Sequence, residues 1–552
     1  MKCISRYTGT LLLGLKTLGC IVILTAVTGM AQEHAHGSGE KLGTVHFSTS
    51  CNEAAQKEFD RAVALLHSFE FSRAIDGFNA VLKSDGSCGI AHWGIALSQW
   101  SNPFAPGKKD SRQLAAGRAS AELGQTEGAK TERERAYISA VANLYNDFEN
   151  KPQSARLLAY RDAMGNLAAN NPSDHEAQIF YALAIAESED SADKTYAGRL
   201  KAGAILEKLF EQEPNHPGLA HYIIHTYDVP PLAGRALEAA RRYAEIAPDA
   251  PHALHMPSHT FTRTGDWQAS IKSNVAAAAA ARREGETAEE LHASDYEIYA
   301  YLQSGQDAAA QRIRNSLPEI GQRFDPDKVV GGAAGPSVAY FALAAIPARY
   351  ALERGDWKQA AELIPRATPF PHTEAITWFA RGLGAARLGQ TKSAYESEAA
   401  LRRIRERLSD SGETYWALQV QIEETEVAAW ATFADGKREE GLSQMKSAAE
   451  LEDGTEKSAV TPGPIAPARE LLGEMLLETN QPAAALAQFE ATLQKEPERF
   501  RALYGAGHAA RLSGDTVASQ KYFRELVKGC EHPDKPYRKE LEEAEKFFSE
   551  KN

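Results

Sequence analysis

The sequence predicts an all-α fold, an α-solenoid of stacked helical hairpins, and three observations carry that expectation. Apolar residues recur at three- and four-residue spacing, while alternating β-branched runs are scarce. Gly-Asp and Gly-Gln pairs punctuate the helical segments, as at Gly265-Asp266, Gly355-Asp356, Gly389-Gln390 and Gly514-Asp515. A recurrence of 34 residues links Gly473 to Gly507, Asn480 to Gly514 and Pro214 to Pro248. With 552 residues, 43% hydrophobic and 24% charged, the chain can bury a large core. Its length admits about two to four domains or one long repeat array. The net charge of −13 argues against a nucleic-acid backbone or an anionic membrane as the main partner.

Taken in order, residues 1–31 read as a secretory signal peptide. Lys2 and Arg6 give a positive start, an apolar run extends from Leu11 to Val27, and Gly29 and Ala31 place small residues before a cut at Gln32. Lys16 shortens the clean apolar run to about ten residues, too few for a membrane anchor. Cys20 is poorly placed for lipid attachment, because the apolar stretch Ile21 to Val27 follows it. The mature chain is therefore expected to be exported, periplasmic or secreted, with no membrane span and three more units of negative charge. Residues 32–50 read as a linker. Of the cysteines left after cleavage, Cys51 precedes one predicted helix and Cys88 follows the next. Those ends lie side by side in an antiparallel hairpin, so a Cys51–Cys88 disulfide is expected with Cys530 left over. Three free thiols are the alternative.

The hairpins can be phased. Near the C-terminus, Leu472-Gly473, Asn480-Gln481, Ala485, Phe489 and Pro497 form one copy. Ala62, Ala74 and Phe78 fit an early copy, and Trp378, Gly382, Gly389-Gln390 and Ala394 a later one. This pattern resembles the tetratricopeptide repeat (TPR), including bacterial secreted TPR proteins. The resemblance covers most of residues 51–530, with insertions around 101–130, 186–198 and 320–337. It implies a right-handed superhelix in which small residues admit large ones from the neighbouring helix. The expected arrays are 51–324 and 338–552, separated by a loop at 325–337. A second irregular segment, Asp453 to Pro467, holds Pro462, Gly463, Pro464 and Pro467 and cannot be a regular helix.

Histidine is concentrated where the repeats are central. Seven of 16 fall within 216–292, against roughly two for even spacing. His221 and His225 share a helical face, and His255 and His259 repeat the pair 34 residues later. The TPR resemblance implies that repeat positions 2, 5, 9 and 12 line the concave groove. That would bring His221, His225, His255 and His259 together as metal ligands, with Asp228, His252, His292 and Asp295 as further groove ligands. Imidazole-rich sites suit late transition metals, copper or zinc foremost. Pro257 lies between His255 and His259, so that helix must kink or restart there. His67, His92 and Arg349 could also face the groove, although packing roles suit them at least as well.

Signatures of catalysis are weak. His221-Tyr-Ile-Ile-His225 has the spacing of a zinc protease, but Tyr222 stands where the glutamate base belongs. Two functions follow: an exported TPR protein binding a transition-metal ion, conceivably as an enzyme, or a metal-free scaffold gripping a peptide or protein partner.

Overall fold

A computed structural model describes residues 39–190, 192–328 and 332–549. The signal segment 1–31, with residues 32–38, lies outside them. The described residues form helices and turns without a β-strand. The chain is an α-solenoid of TPR-like hairpins in which each helix packs against the next. Residues from Lys41 onward form one unit.

The Gly-Asp breaks have a simple cause. Gly265, Gly355 and Gly514 adopt φ of 72°, 62° and 83°, a left-handed conformation that ends one helix. The following Asp266, Asp356 and Asp515 each accept a backbone N–H at the start of the next: Ala269, Gln359 and Ala518. One dipeptide thus stops a helix and starts its partner. Small residues then set how closely the helices approach. A Cβ on Gly473 would lie 2.8 Å from the Phe489 ring, and one on Gly507 would lie 2.5 Å from that of Phe523.

The first hairpin, Glu53–His67 and Phe71–Ser84, is clasped by a Cys51–Cys88 disulfide with Cα atoms 5.0 Å apart, and Cys530 is free and buried. The expected linker is a packed strap from Lys41 to Ser50. Thr44 N donates to Asn215 O, and the Phe47 ring sits 4.9–5.2 Å from those of Phe59, Trp93 and Tyr137.

The larger departure from an open superhelix is that the array curls until its ends meet its middle. Trp267 Nε1 donates to Glu498 O, Asp534 N to Gly305 O and Asn102 Nδ2 to Ala333 O. Arg499 is buried between Glu353 and Glu470, 2.7 and 2.8 Å away, and also donates to the Tyr299 hydroxyl. The groove expected to lie open is thereby filled. No helix among the described residues is long and apolar enough to cross a membrane.

Two outcomes test this packing. Gly507→Val forces a side chain into the Phe523 ring and should destabilise the chain by roughly 1–3 kcal/mol in denaturant unfolding. Peptide mapping without reductant should recover Cys51 linked to Cys88; replacing both by Ser should cost roughly 3–4 kcal/mol for a loop of 37 residues.

Candidate metal centre

Four helical segments deliver the histidines. His216 caps the helix Pro217–Thr226 by accepting Leu219 N–H, and that helix carries His221 and His225 one turn apart. The next A-helix is broken in two, Pro251–His255 and Pro257–Thr264. Pro257 brings no N–H to the first segment and takes the N1 position of the second, where none is needed. His252 and His255 therefore sit on one short helix and His259 on the other. The helix Thr287–Gln303 adds His292.

These six side chains form two adjoining trios. His221, His225 and His252 place ligand atoms within 4.8 Å of one another, and so do His255, His259 and His292. Between the trios, His225 and His259 have ring centroids 5.6 Å apart, and His252 and His255 5.9 Å. None of the six is more than 6% exposed. The four expected ligands are thus brought together, and His252 and His292 join them.

Hydrogen bonds fix which nitrogen of several rings faces the centre. His221 Nδ1 donates to the backbone oxygen of His67 at 2.6 Å. His255 Nδ1 donates to Asn274 Oδ1 at 2.7 Å, and Asn274 cannot be turned over because its Nδ2 donates to Ser270 O. His259 Nδ1 donates to the Asp228 carboxylate at 3.0 Å. With Nδ1 protonated in each neutral ring, Nε2 presents a lone pair. His255 Nε2 and His259 Nε2 consequently face each other at 3.1 Å, lone pair to lone pair. His221 Nε2, His225 Nε2, His292 Nδ1 and both nitrogens of His252 have no hydrogen-bond partner, although Glu289 approaches His252 Nδ1 at 3.8 Å.

Burial disfavours the charged form of five of these rings. It lowers His221, His225 and His255 well below the ordinary imidazole value, with neighbouring histidines adding to the effect. It pushes His259 down to about 4 against the pull of Asp228, and His292 down to about 3 against that of Glu289. Burial alone would raise the Asp228 carboxyl, but Lys457, Arg263 and His259 overcome it and hold the group well below the usual range. Neutral imidazoles are the form that binds metal.

The expected acidic ligands lie elsewhere. Asp228 accepts from Arg263 Nε at 2.8 Å and Lys457 Nζ at 3.2 Å as well as from His259, so it orients a ring rather than facing the centre. Asp295 is paired with Arg349 at 2.9 Å. Arg349 is fully buried and also holds Thr461, Gly463 and Pro464, so it fastens a loop instead of meeting a ligand. His67 and His216 belong to a separate cluster on Glu176, where every ring nitrogen is used. His216 Nε2 and His67 Nε2 reach the two carboxylate oxygens at 3.0 and 2.9 Å, while His67 Nδ1 meets the Tyr222 hydroxyl. His92 pairs with Glu127.

Three irregular segments roof the centre. Asn102 and Ala105, Ala333, and Ala459 and Val460 line a small cavity of about 10 Å³ together with His225, His252, His259 and His292. Tyr296 and Lys457 tie the last segment down, the former by donating to Ala459 O and Thr461 O at 3.0 Å. Sequence reasoning missed Asn274, Glu289 and Lys457. A polar Asn in the alanine-rich helix Trp267–Glu284 was the one signal available for the first.

No family model and no curated protein sequence matches the chain. Human IFIT1 solved as a dimer with m7Gppp-AAAA aligns with a TM-score of 0.35 and 12% identity, over 80% of this chain and 95% of that one. Yeast Tom70 gives 0.28 and 11%, over 90% and 95%. The TPR domain of P58(IPK) gives 0.21 and 14%, over 69% and 99%. What the helices and the site define is a TPR-like α-solenoid closed around a buried cluster of six histidines.

The shifts carry a sign that can be measured. Unfolded histidine takes its proton near pH 6.5, so the stability contributed by keeping His259 and His292 neutral is full above that value. It is lost as the pH falls through the window down to about 4 and about 3 respectively. Residue-resolved NMR of the metal-free protein should therefore find both rings still neutral at pH 5.5, where a free imidazole is mostly protonated.

Proposed function

We propose that this protein binds a transition metal at the six-histidine centre, copper or zinc, and that it does so after export directed by residues 1–31. The observation that carries the reading is the 3.1 Å approach of His255 Nε2 to His259 Nε2 while both Nδ1 protons point outward. Two lone pairs at that separation repel unless a cation lies between them. Metal-bonded nitrogens about 2.0–2.1 Å from an ion at tetrahedral angles are roughly 3.3 Å apart, close to what the rings already adopt. The outward hydrogen bonds to Asn274, Asp228 and the His67 carbonyl are the kind that fix the tautomer and raise the basicity of metal-bound histidine.

A peptide gripped by these histidines fits poorly, because they are buried and the cavity beside them is too small for a chain segment. A partner protein would have to dock elsewhere on the solenoid. No residue here is assigned a catalytic step.

Elemental analysis after exposure to copper and to zinc, followed by desalting, tests the reading. Metal should remain with the wild-type chain, and the ion held between His255 and His259 should be lost, its affinity reduced at least 100-fold, in His255→Ala/His259→Ala. Asp228→Asn should weaken binding about 10- to 100-fold by freeing the His259 ring. His175→Ala should change nothing, since that ring pairs with Glu213 outside the centre. A wild-type protein that stays metal-free with both metals would overturn the proposal.

A further inference from the structure

Resting on that metal-binding reading, we infer that the centre is binuclear: one ion on His221, His225 and His252, and a second on His255, His259 and His292, held as a pair of copper(I) ions. The six imidazoles are too many for one ion, which takes about four ligands of this type. They also divide without overlap, each trio keeping its ligand atoms within 4.8 Å. Unpartnered nitrogens occur in both halves. His221 Nε2, His225 Nε2 and both nitrogens of His252 are orphaned in the first, and His292 Nδ1 in the second, beside the opposed Nε2 atoms of His255 and His259. A single ion would satisfy one half and leave the other as a dry set of buried acceptors, which proteins avoid.

Charge then selects the metal. An imidazole that binds metal is neutral. Of the nearest carboxylates, Asp228 is neutralised by Arg263 and Lys457, while Glu289 accepts the Ala334 N–H at 2.7 Å and stands 3.8 Å from His252 Nδ1. Two divalent ions so close in a poorly hydrated interior would repel strongly without an anion between them. Copper(I) carries half that charge, prefers soft or imidazole ligands and is content with three of them. The small cavity fits this arrangement, since its histidine lining comes from both trios: His225 and His252 from one, His259 and His292 from the other.

The test is an anaerobic titration of the whole protein with copper(I) against a chromogenic copper(I) chelator. Two equivalents per chain are expected, with one retained by His221→Ala/His252→Ala and one by His255→Ala/His259→Ala. Should a variant fail to fold, the wild-type protein loaded with two equivalents of copper(II) gives an independent reading. Its electron paramagnetic resonance should show either a half-field transition or less than the full spin count, because the two ions couple. A single equivalent in the wild type, or full uncoupled spin intensity, overturns the binuclear centre and leaves metal binding standing. No bound copper(I) at all overturns the copper(I) pair, and a protein that also stays metal-free after exposure to copper(II) and zinc overturns both.

Discussion

A neutral imidazole carries one proton, and when several are buried together each proton has to be placed where an oxygen can accept it. In this protein that requirement reaches far from the rings. His221 uses the backbone oxygen of His67, at the end of the first helix of the array, where a helix leaves its last carbonyls free. His255 uses Asn274, itself oriented by Ser270 on the same helix. His259 uses Asp228, which stays ionised in the interior because Arg263 and Lys457 flank it. Each outward bond turns an Nε2 lone pair inward, so the centre is built from its periphery.

The same requirement accounts for how the solenoid closes. An open groove would let water satisfy the rings and would need no such placement. Here Lys457, Tyr296 and Arg349 fasten the irregular segment around residues 455–467 across the groove, and the segment around Asn102 joins it through Ala333. Buried charge makes this closure specific, since Arg349 pairs with Asp295, and Arg499 with Glu353 and Glu470, only when residues far apart in sequence meet. The proline- and glycine-rich stretches that interrupt the repeat are thus the parts that make the lid.

Local features of the fold were legible because they repeat. A Gly-Asp pair marks a helix end and a helix start wherever it occurs, and Gly507 against Phe523 restates Gly473 against Phe489. The pairing of His221 with His255 and His225 with His259 at one repeat length put four rings on one surface, and Pro257 announced the break between two of them. What could not be read was anything depending on curvature. A small rotation per repeat, summed over the array, decides whether residue 457 reaches residue 228, and no local pattern encodes that sum. Asp228 and Asp295 looked like ligands for this reason: their phase is right, but Asp228 is held by Lys457 and Arg263, and Asp295 is paired with Arg349, whose approach comes from the closure. The expected linker failed similarly, since Phe47 reads as an isolated aromatic until Phe59, Trp93 and Tyr137 surround it.

Two histidine clusters in one molecule show why residue type alone does not make a metal site. On Glu176, the rings of His67 and His216 send both Nε2 protons to one carboxylate, and their Nδ1 atoms accept from the Tyr222 hydroxyl and the Leu219 amide. Every donor has an acceptor, and a cation arriving there would have to break bonds already made. In the six-histidine centre His221, His255 and His259 donate outward and turn their Nε2 atoms inward, while both nitrogens of His252 stay without a partner. An unsatisfied buried polar group costs about 1–3 kcal/mol, and several together would exhaust much of the roughly 5–15 kcal/mol that ordinarily holds a domain folded. On the metal-binding proposal, an ion at that point would answer the inward-facing lone pairs, whereas the ring nitrogens on Glu176 already have partners.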